Sequence, residues 1–577
     1  SSDLKKRYMA SAGLSYQILD WLNVAGRVRI DNTHSEYEGK LYASSSNTLT
    51  DGSSQGHYTV NNGQYSQTYA DVLVNINKRI QDFTIVANIG ASYSGVTSKE
   101  LGYAGPIRET GIPNLFNVYD LDNAKKRATQ VGWREATESI FASAEVGWKS
   151  MLYLTVTGRN DWASQLTHSP QASFFYPSVG LSAVITEMLK LPDWVDYLKV
   201  RGSFSSVGNP YPRFLTYPTY SYDANKQDWK SQTNYPIGKL YPERTDSWEV
   251  GLDATLFKDF KLSGSFYYAN TYNQTFDPRL PVSSGYDKLY VQTGYVRNYG
   301  FEAMLSYGHR WGDFGWDSSF TFSANKNEIV ELVKDYVHPE TGKTYNVDKL
   351  ELKTDEGRGF GKAKFILKEG GTLGDLYTHA DLKRDINGNI LIDDSGNVTA
   401  IDNAGDIKLG SVLPKANLAW NNSFSYKGIN AGFLLTARLG GIVYSATQAY
   451  LDLYGVSETS AAARDAGGVW INGRSHVNPQ SFYEVVASQS GLPTYYTYSA
   501  TNLRLQEAHI GYTVPRRWLG NVCDINVSLV GRNLWMIYCK APFDPEAVAT
   551  TNNYYQGIDY FMMPSTRNIG FNIKINF

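Results

Sequence analysis

Apolar and polar residues alternate along most of the chain with a period of two. Near the C-terminus, Ile569, Phe571, Ile573 and Ile575 stand between polar residues or glycine. Alternation of this kind puts apolar side chains on one face of a β-strand and polar side chains on the other. The pattern recurs at residues 152–157, 248–256 and 524–529. We therefore predict an all-β fold.

The lengths of the strands and of their connections favour a membrane protein. The alternating segments run ~10–15 residues, against ~5–6 in soluble sheets, and suit tilted strands that cross a bilayer. Short links and long polar stretches take turns. The short links fall at 19–20, 80–82, 149–150, 258–259, 310–312 and 427–428, and the long stretches at 38–65, 101–130, 209–242, 328–413, 445–500 and 538–564. Outer-membrane barrels have short periplasmic turns and long external loops, whereas a soluble sandwich has no reason to place every long loop at one end.

Helical pattern is scarce, and a short helix or turn is expected only at 187–197, in a periplasmic link. The pattern gives about 17 strands, although single-chain bacterial barrels have even counts. This odd count, with a strand that begins near Arg7, predicts an incomplete transmembrane antiparallel β-barrel. We expect residues 1–577 to form one barrel domain, without a plug domain.

The composition excludes several classes of protein. Among 577 residues, 54 are basic and 56 acidic, so the chain is not a strongly basic nucleic-acid binder. Aromatic residues make up 14%, which argues against disorder. Cys523 and Cys539 lie at opposite ends of one expected strand, ~50 Å apart at ~3.3 Å per residue. Both are therefore expected to be free thiols.

Catalytic and metal-binding motifs find little support. There is no G-x-S-x-G elbow, P-loop or His-x-x-x-His pair, and His168 near Ser164 and Ser169 is a loose candidate for a hydrolase. Residues 385–396 resemble a calcium loop, but Ile390 stands where the loop needs glycine and Gly396 where it needs glutamate. An Asn-Gly hairpin turn explains Asn387 and Gly388 more simply. We predict no enzyme activity, no cofactor and no metal.

Charged residues on the polar register of the strands are expected to face the barrel lumen. They could line a substrate path, hold a plug or simply be solvated. These residues are Glu249, Asp253, Glu302, Arg438, Arg504, Glu507, His509, Arg532 and Lys574.

Aromatic residues in the external loops are candidates for contact with a sugar or peptide. The alternatives for these side chains are contact with a partner protein or packing between loops. A strand-top segment that combines charge with an aromatic ring is a further candidate, for which structural pairing is the alternative. The candidate substrate-binding residues are Arg159, Asn160, Asp161, Trp162, Tyr211, Phe214, Tyr217, Tyr495 and Tyr496.

Several stretches, in order along the chain, resemble one family. They are LTVTGRNDWASQ at 154–165, YPSVG at 176–180, LKVRGSFSSVGN at 198–209, PERTDSWEVGLDATL at 242–256, VRNYGFE at 296–302, GTLG at 371–374, 409–414, LRLQEAHIGYTVP at 503–515, RNL at 532–534 and DPE at 544–546. Each stretch is weak alone, but together they resemble the SusC/RagA-type TonB-dependent transporters of Bacteroidetes outer membranes.

The resemblance implies a 22-stranded barrel with an N-terminal plug, of which this chain would hold the last ~17 strands. It also implies a SusD-like surface lipoprotein as partner, a TonB complex that acts on the missing N-terminal part, and a companion fragment that carries the plug and first strands. It allows a dimer of transporter–lipoprotein pairs. The expected function is TonB-dependent active import of glycans or peptides across the bacterial outer membrane, in contact with its lipid. A passive porin or an adhesin barrel is the alternative, and an outer-membrane hydrolase is a third interpretation.

Overall fold

The computed structural model describes most of the chain. The described residues are 1–576 except 216–219, 224–227, 231–233, 236–239, 277–287, 290, 338–341, 343, 353–360, 474, 521 and 551–555.

Within the described residues, seventeen long strands belong to one antiparallel sheet, which confirms the predicted all-β fold and strand number. In chain order they are β1 Ser2–Leu19, β2 Leu22–Leu41, β3 His57–Ile80, β4 Phe83–Pro106, β5 Arg127–Trp148, β6 Leu152–Ala163, β7 Ser173–Val184, β8 Val195–Asn209, β9 Glu243–Leu256, β10 Phe260–Phe276, β11 Val291–Trp311, β12 Phe314–Glu331, β13 Ala416–Tyr426, β14 Ile429–Leu439, β15 Asn502–Val514, β16 Asp524–Cys539 and β17 Asn568–Asn576.

Short and long connections alternate between these strands, as the sequence predicts. β1 and β2, for example, are joined by two residues, whereas β2 and β3 are separated by residues 42–56. The strands are longer than predicted, up to 24 residues in β3 and β4. The ladder between β2 and β3 therefore continues to Leu41 and His57, inside a stretch that the sequence analysis assigned to a loop.

The chain divides into two compact units. Unit 1 comprises residues 1–182, 203–245 and 279–292, and unit 2 comprises 183–202, 246–278 and 293–577. Within unit 1, β1 to β6 pair in chain order. Within unit 2, β11 to β17 pair in the same way.

The last strand shows the predicted division of faces. Phe571, Ile573 and Ile575 lie opposite Leu529, Val527 and Ile525 of β16, so these apolar residues share one face. Asn572 and Lys574 lie opposite Ser528 and Asn526 on the other face. Among the described residues, no helix is both long enough and apolar enough to cross a membrane.

Helices occur mainly in one long connection, which corrects the expectation of polar loops. Helix α1, Ile185–Met188, begins before the predicted link at 187–197 and overlaps it only in Glu187 and Met188. In the described part of the connection between β14 and β15 lie four more helices: α2 Ala446–Leu453, α3 Glu458–Asp465, α4 Pro479–Val486 and α5 Pro493–Tyr496. The sequence encodes the start of helix α4. The Asn478 side chain accepts hydrogen bonds from the backbone N–H groups of Gln480 and Ser481, and Pro479, which has no N–H to satisfy, occupies the first helical position.

Short strands and 3-10 turns complete the described connections. The strands are Ser221–Asp223, Asp228–Lys230, Asn234–Tyr235, Lys288–Leu289, Val333–Val337, Thr344–Val347, Lys349–Glu351, Ala363–Lys368, Asp375–Thr378, Asp381–Leu382, Ala400–Ile401, Ile407–Ser411, Ile442–Ser445, Val469–Ile471, Ser475–Val477, Thr497–Ser499 and Ile558–Asp559. The 3-10 turns are Val118–Asp120, Ser164–Leu166, Ser488–Ser490 and Arg516–Leu519.

Two loops of unit 2 build a small hydrophobic core outside the sheet. We call it the loop core, and its buried members are Ala380, Leu382, Val398, Ile471, Val477, Phe482, Tyr483, Val486 and Leu492. Asn472 joins the two loops through its amide, which accepts from the Ile390 N–H at 3.0 Å and donates to the Ile390 carbonyl at 2.9 Å. The side chain thereby replaces a strand partner for Ile390.

Candidate functional site

The register of unit 2 separates a polar face from an apolar face. Glu302, Ser323, Asn417 and Arg438 lie directly opposite one another across β11 to β14 and therefore share a face. The residues next to them in the four strands also lie opposite one another, on the other face. They are Ala303, Phe322, Leu418 and Ala437. The predicted polar register of Glu302 and Arg438 is confirmed.

A cavity of about 720 Å³ lies along this polar face. Arg201, Glu302, Arg438, Gln506 and Glu546 contribute to its lining. One Nη of Arg438 donates to the Val412 carbonyl at 2.8 Å. The Nε of Arg438 is buried without a hydrogen-bond partner among the described residues. The cavity therefore offers charges of both signs and an unused donor to a polar ligand.

Arg201 holds two of the predicted lumenal carboxylates. Its guanidinium lies 2.7 Å from Asp253 and 3.5 Å from Glu249. Ser263 Oγ donates to the other Asp253 oxygen at 2.7 Å. Arg201 is not among the residues that were expected to face the lumen, although it stands on the polar register of β8 between Val200 and Gly202. Following that register from the neighbouring carboxylates would have identified it.

Arg504 anchors a loop segment to the polar face of β15. Its two Nη atoms lie 2.8 and 3.2 Å from the Asp544 carboxylate, and Asn502 donates to Glu546 at 3.1 Å. Burial acts to raise the pKa of Asp544, but the hydrogen bonds from Arg504 and from the Glu546 N–H outweigh it, so the pKa is lowered. The pair joins two of the stretches that carry the family resemblance, 503–515 and 544–546, across 40 positions of the sequence. Farther along the ladder, Arg532 donates to Glu507 at 3.0 Å.

In unit 1, the strand-top segment of β6 is divided between two faces. Arg159 donates to Asp161 and to Ser139, both at 2.7 Å, and the Tyr176 hydroxyl also donates to Asp161. Asn160 lies opposite Ile140, on the other face of the strand, as does Trp162 by the alternation of β6. Arg159 and Asp161 thus form a paired network, from which Asn160 and Trp162 are separated. Ligand contact by these four residues remains a prediction.

The loop that follows β8 is attached to β5 by an arginine. Arg213 donates to Glu135 at 2.5 Å, and its guanidinium carbon lies 3.8 Å from the centre of the Trp133 ring. Among the candidates in this loop, Tyr211 is buried, with 2% of its surface exposed, whereas Phe214 is 56% exposed. Tyr217 lies outside the described residues.

The tyrosine pair beside the loop core is engaged in the fold. The Tyr496 hydroxyl donates to Asp452 at 3.0 Å, and Asp452 also accepts from Gln448 and Ser457. Burial, with a contribution from Asp452, raises the pKa of Tyr496. Tyr495 packs edge-to-face on Phe482, with ring centres 6.0 Å apart, and burial raises its pKa as well. Their packing gives both residues a structural role, and ligand contact by either remains a prediction.

The segment that resembles a calcium loop consists of two similar turns. Asp385 Oδ1 accepts from the N–H groups of Asn387 and Asn389 at 2.9 and 2.8 Å. Asp393 does the same with Ser395 and Asn397, at 2.9 Å each. Gly388 and Gly396 have φ angles of +83° and +81°, which glycine adopts without strain. The Asn-Gly turn is confirmed, and within the described ranges no three His, Cys, Asp or Glu side chains are grouped to hold a metal.

The two serines near His168 form hydrogen bonds with backbone groups. Ser169 Oγ donates to the Leu240 carbonyl at 2.6 Å, and Ser164 Oγ accepts from the Ala136 N–H at 3.0 Å. Cys523 and Cys539 are both free thiols, as predicted.

Comparison with known proteins identifies the family. The family model described as "TonB dependent receptor-like, beta-barrel" matches residues 2–534. TonB-dependent receptor P3 of Formosa agariphila is 24% identical over 524 residues, which cover 84% of this chain and 50% of that protein. TonB-dependent receptor SusC of Bacteroides thetaiotaomicron is 24% identical over 433 residues, which cover 69% of this chain and 40% of SusC. The chain spans about half the length of the curated relatives it matches.

A solved structure supports the fold. The RagAB peptide transporter superposes with a TM-score of 0.74 at 17% identity, covering all of this chain and 62% of that one. The chain therefore belongs to the TonB-dependent receptor-like β-barrel family, and this membership places it in the bacterial outer membrane.

Proposed function

We propose that this chain provides the membrane-spanning wall of a transporter that imports oligomeric nutrients, glycans or peptides, together with a SusD-like surface lipoprotein. The observation that carries the proposal is the two-faced sheet of unit 2. One face presents apolar residues such as Phe322 and Leu418, and the other presents Glu302, Asn417 and Arg438 beside a cavity of about 720 Å³. A wall of this kind suits a conduit for polar cargo through lipid.

The source of energy follows from the compartment. Because the outer membrane has neither ATP nor an ion gradient of its own, active import needs the TonB complex of the inner membrane. We propose that the complex acts on an N-terminal plug that belongs to the whole transporter. Among the relatives, SusC is a TonB-dependent receptor and RagAB is a peptide transporter, and these names support import over passive diffusion or adhesion.

The chemistry of the cavity suits an oligomer that is rich in hydroxyl or amide groups. Arg438 supplies a cationic donor, Glu302 an anionic acceptor, and Ser263 and Thr436 hydroxyl groups. Among the aromatic candidates that the structure describes, Phe214 has the largest exposed fraction, which suits a first contact with cargo. Reaction chemistry has no part in this proposal.

Uptake by matched variants tests the proposal. Arg438→Gln and Glu302→Gln change the cavity, whereas Arg310→Gln changes the same face of β11 beyond it. Cells that express each variant would be given isotope-labelled oligosaccharides or peptides, with and without functional TonB, and uptake would be divided by surface abundance. Loss of one charged hydrogen bond should lower uptake at limiting cargo by about tenfold or more in the cavity variants. Arg310→Gln should transport as the wild type does.

Two outcomes would contradict the proposal. Uptake that persists without TonB indicates a passive porin, and equal uptake by all three variants removes the cavity from the transport path. Purification of the full-length transporter from native membranes, with mass spectrometry of what accompanies it, then identifies the lipoprotein and the class of cargo. Recovery without any lipoprotein would remove the SusD-like partner from the proposal.

A further inference from the structure

The face of unit 1 that carries apolar residues changes from apolar to cationic along its strands. Residues that lie opposite one another in the ladders form rows across β1 to β5, with every second row on the same face. Two successive rows of this face are almost wholly apolar: Leu14, Gly26, Val72, Ala91 and Ile140, then Ala12, Val28, Ala70, Tyr93 and Glu138. The opposite face carries ion pairs such as Arg27–Asp71, so the apolar rows face the lipid.

A groove runs through the apolar rows. Gly26, Ala70 and Ala91 form its floor because their side chains are small, and Leu14, Val72, Ile140 and Trp162 stand beside them. This open groove has a volume of about 900 Å³. Tyr93 and Trp162 lie at the end of the groove that is farther from the turn between β1 and β2. Aromatic residues are typical of the boundary between lipid chains and headgroups. The groove therefore has the shape and the surroundings of a seat for an acyl chain.

Cations follow beyond that boundary on the same face. Arg134 lies four residues beyond Glu138 on β5, ~13 Å along the strand. The next row places Lys6, His34, Gln64 and Lys99 opposite one another. A second recess, of about 670 Å³, is lined by His34, Gln64 and Lys99.

The charges at this end are only partly compensated. Lys6 pairs with Glu36 at 3.5 Å, and Glu138 stands at the boundary. Lys99 and Arg134 are exposed and have no carboxylate partner in the part of the chain that the structure describes. Two unpaired cations beyond an apolar groove match an amphiphile that is apolar at one end and anionic at the other.

We propose that this face of unit 1 binds a membrane lipid with a phosphorylated headgroup. An acyl chain occupies the groove over Gly26, Ala70 and Ala91, and a phosphate of the headgroup lies between Lys99 and Arg134. The acyl chain of this lipid packs against the apolar rows that face the membrane. The proposal rests on the outer-membrane location and not on the cargo or on the lipoprotein partner.

Binding of defined lipids to the full-length transporter in detergent micelles tests this site. The probes are bisphosphorylated lipid A, dephosphorylated lipid A and inorganic phosphate, with binding measured by native mass spectrometry. Lys99→Gln and Arg134→Gln should each weaken binding of bisphosphorylated lipid A about fivefold, and about 25-fold together. Dephosphorylated lipid A should bind about 25-fold more weakly than the phosphorylated form, and phosphate alone should not bind measurably.

Matched variants separate the groove from the charges. Ala91→Phe fills the floor and should weaken binding of both lipids, whereas Lys326→Gln removes a lysine on the apolar face of unit 2 and should change neither. Ala91→Leu serves if the phenylalanine prevents assembly. Equal binding of the two lipids, or no change on losing both Lys99 and Arg134, would overturn the proposal. Displacement of lipid by a second copy of the transporter would also overturn it, by making the face a protein interface.

Discussion

The sheet and the loop core use apolar side chains in opposite ways. On β17, Phe571 and Ile573 expose 78% and 54% of their surfaces, whereas Val486 and Leu492 of the loop core expose 1% each. An apolar side chain on the sheet only has to stand on the lipid face, and its neighbours there are fluid. A side chain in the loop core has to fit fixed neighbours at the density of a crystal.

This difference determines which substitutions the two regions tolerate. The sheet should resist a change of polarity and accept a change of size. The loop core should resist both, because a smaller side chain leaves a cavity that the surrounding residues cannot fill. The expected effects of substitution on stability decrease from the loop core to an exposed ion pair.

Truncation of a ring in the loop core should have the largest effect. Phe482→Ala is expected to lower the local free energy of unfolding by about 3–5 kcal/mol, because a buried aromatic side chain is lost. Hydrogen exchange of residues 446–496 in the detergent-solubilised transporter measures it. Tyr454→Ala, at a side chain that is 74% exposed, is the control and should stay within about 0.5 kcal/mol of the wild type. Equal exchange in the two variants would show that the loop core is not a cooperative unit.

A charge on the lipid face comes next. Ile573→Arg should cost about 2–4 kcal/mol near the middle of the bilayer and less toward its edges. Lys574→Gln changes the neighbouring residue on the other face and should leave folding nearly unchanged. Surface-exposed protein per cell is the measurement. Equal losses for the two variants would mean that the two faces of β17 are not chemically distinct.

The attachment of the 544–546 segment should depend on charge rather than on shape. Asp544→Asn keeps the size of the side chain but removes the anion that Arg504 contacts at 2.8 Å. We expect the local stability of this segment to fall by about 1.5–3 kcal/mol, the range for a hydrogen bond to a charged group. Protease cleavage in the 540–550 loop reports it, with the exposed Asp394→Asn as control. Unchanged cleavage would assign the attachment to packing alone.

Much of the sheet could be predicted because its information is local. The period of two in residues 569–576 or 524–529 needs only a count of neighbouring positions, and the alternation of links follows from where each run stops. Carboxylates such as Asp253 were placed on the polar face for the same reason. The lengths of β3 and β4 were underestimated, since beyond the membrane a strand no longer needs an apolar face to continue.

The loop core escaped prediction because its parts are far apart in the sequence. Asn472 bonds to Ile390 across 82 positions, and Thr494 to Asp381 across 113. Each segment alone has too few apolar residues to indicate a core, and α4 and α5 are too short to show helical periodicity. The sequence alone makes Tyr496 a candidate for ligand contact, whereas the fold shows that its hydroxyl also donates to Asp452.

The smallest expected effect concerns a four-stranded sheet in unit 2, which is formed by Lys349–Glu351, Ala363–Lys368, Asp375–Thr378 and Ile407–Ser411. Asp406, just before Ile407–Ser411, accepts hydrogen bonds from Lys349 at 2.7 Å and lies 2.8 Å from Lys368 and 2.9 Å from His379. It therefore contacts two other strands of this sheet and the residue that follows the third. The hydrogen bonds from Lys349 and Lys368 lower the pKa of this carboxyl. A carboxyl whose pKa is lower in the folded state stabilises that state fully above its unfolded pKa of about 3.9, and the contribution is lost as the pH falls through the folded pKa.

Hydrogen exchange in residues 363–378 and 407–411 should therefore accelerate as the pH falls from about 5 toward 2, after correction for intrinsic exchange. In Asp406→Asn this acid-dependent part should disappear, and exchange above pH 5 should already be faster than in the wild type. Asp402→Asn removes the partner of Lys362, a carboxylate with 74% of its side chain exposed, and should keep the wild-type profile. An unchanged acid profile in Asp406→Asn would mean that this part of unit 2 owes its order to apolar contacts such as those of Phe365 and Leu376, as the loop core does, and not to its charges.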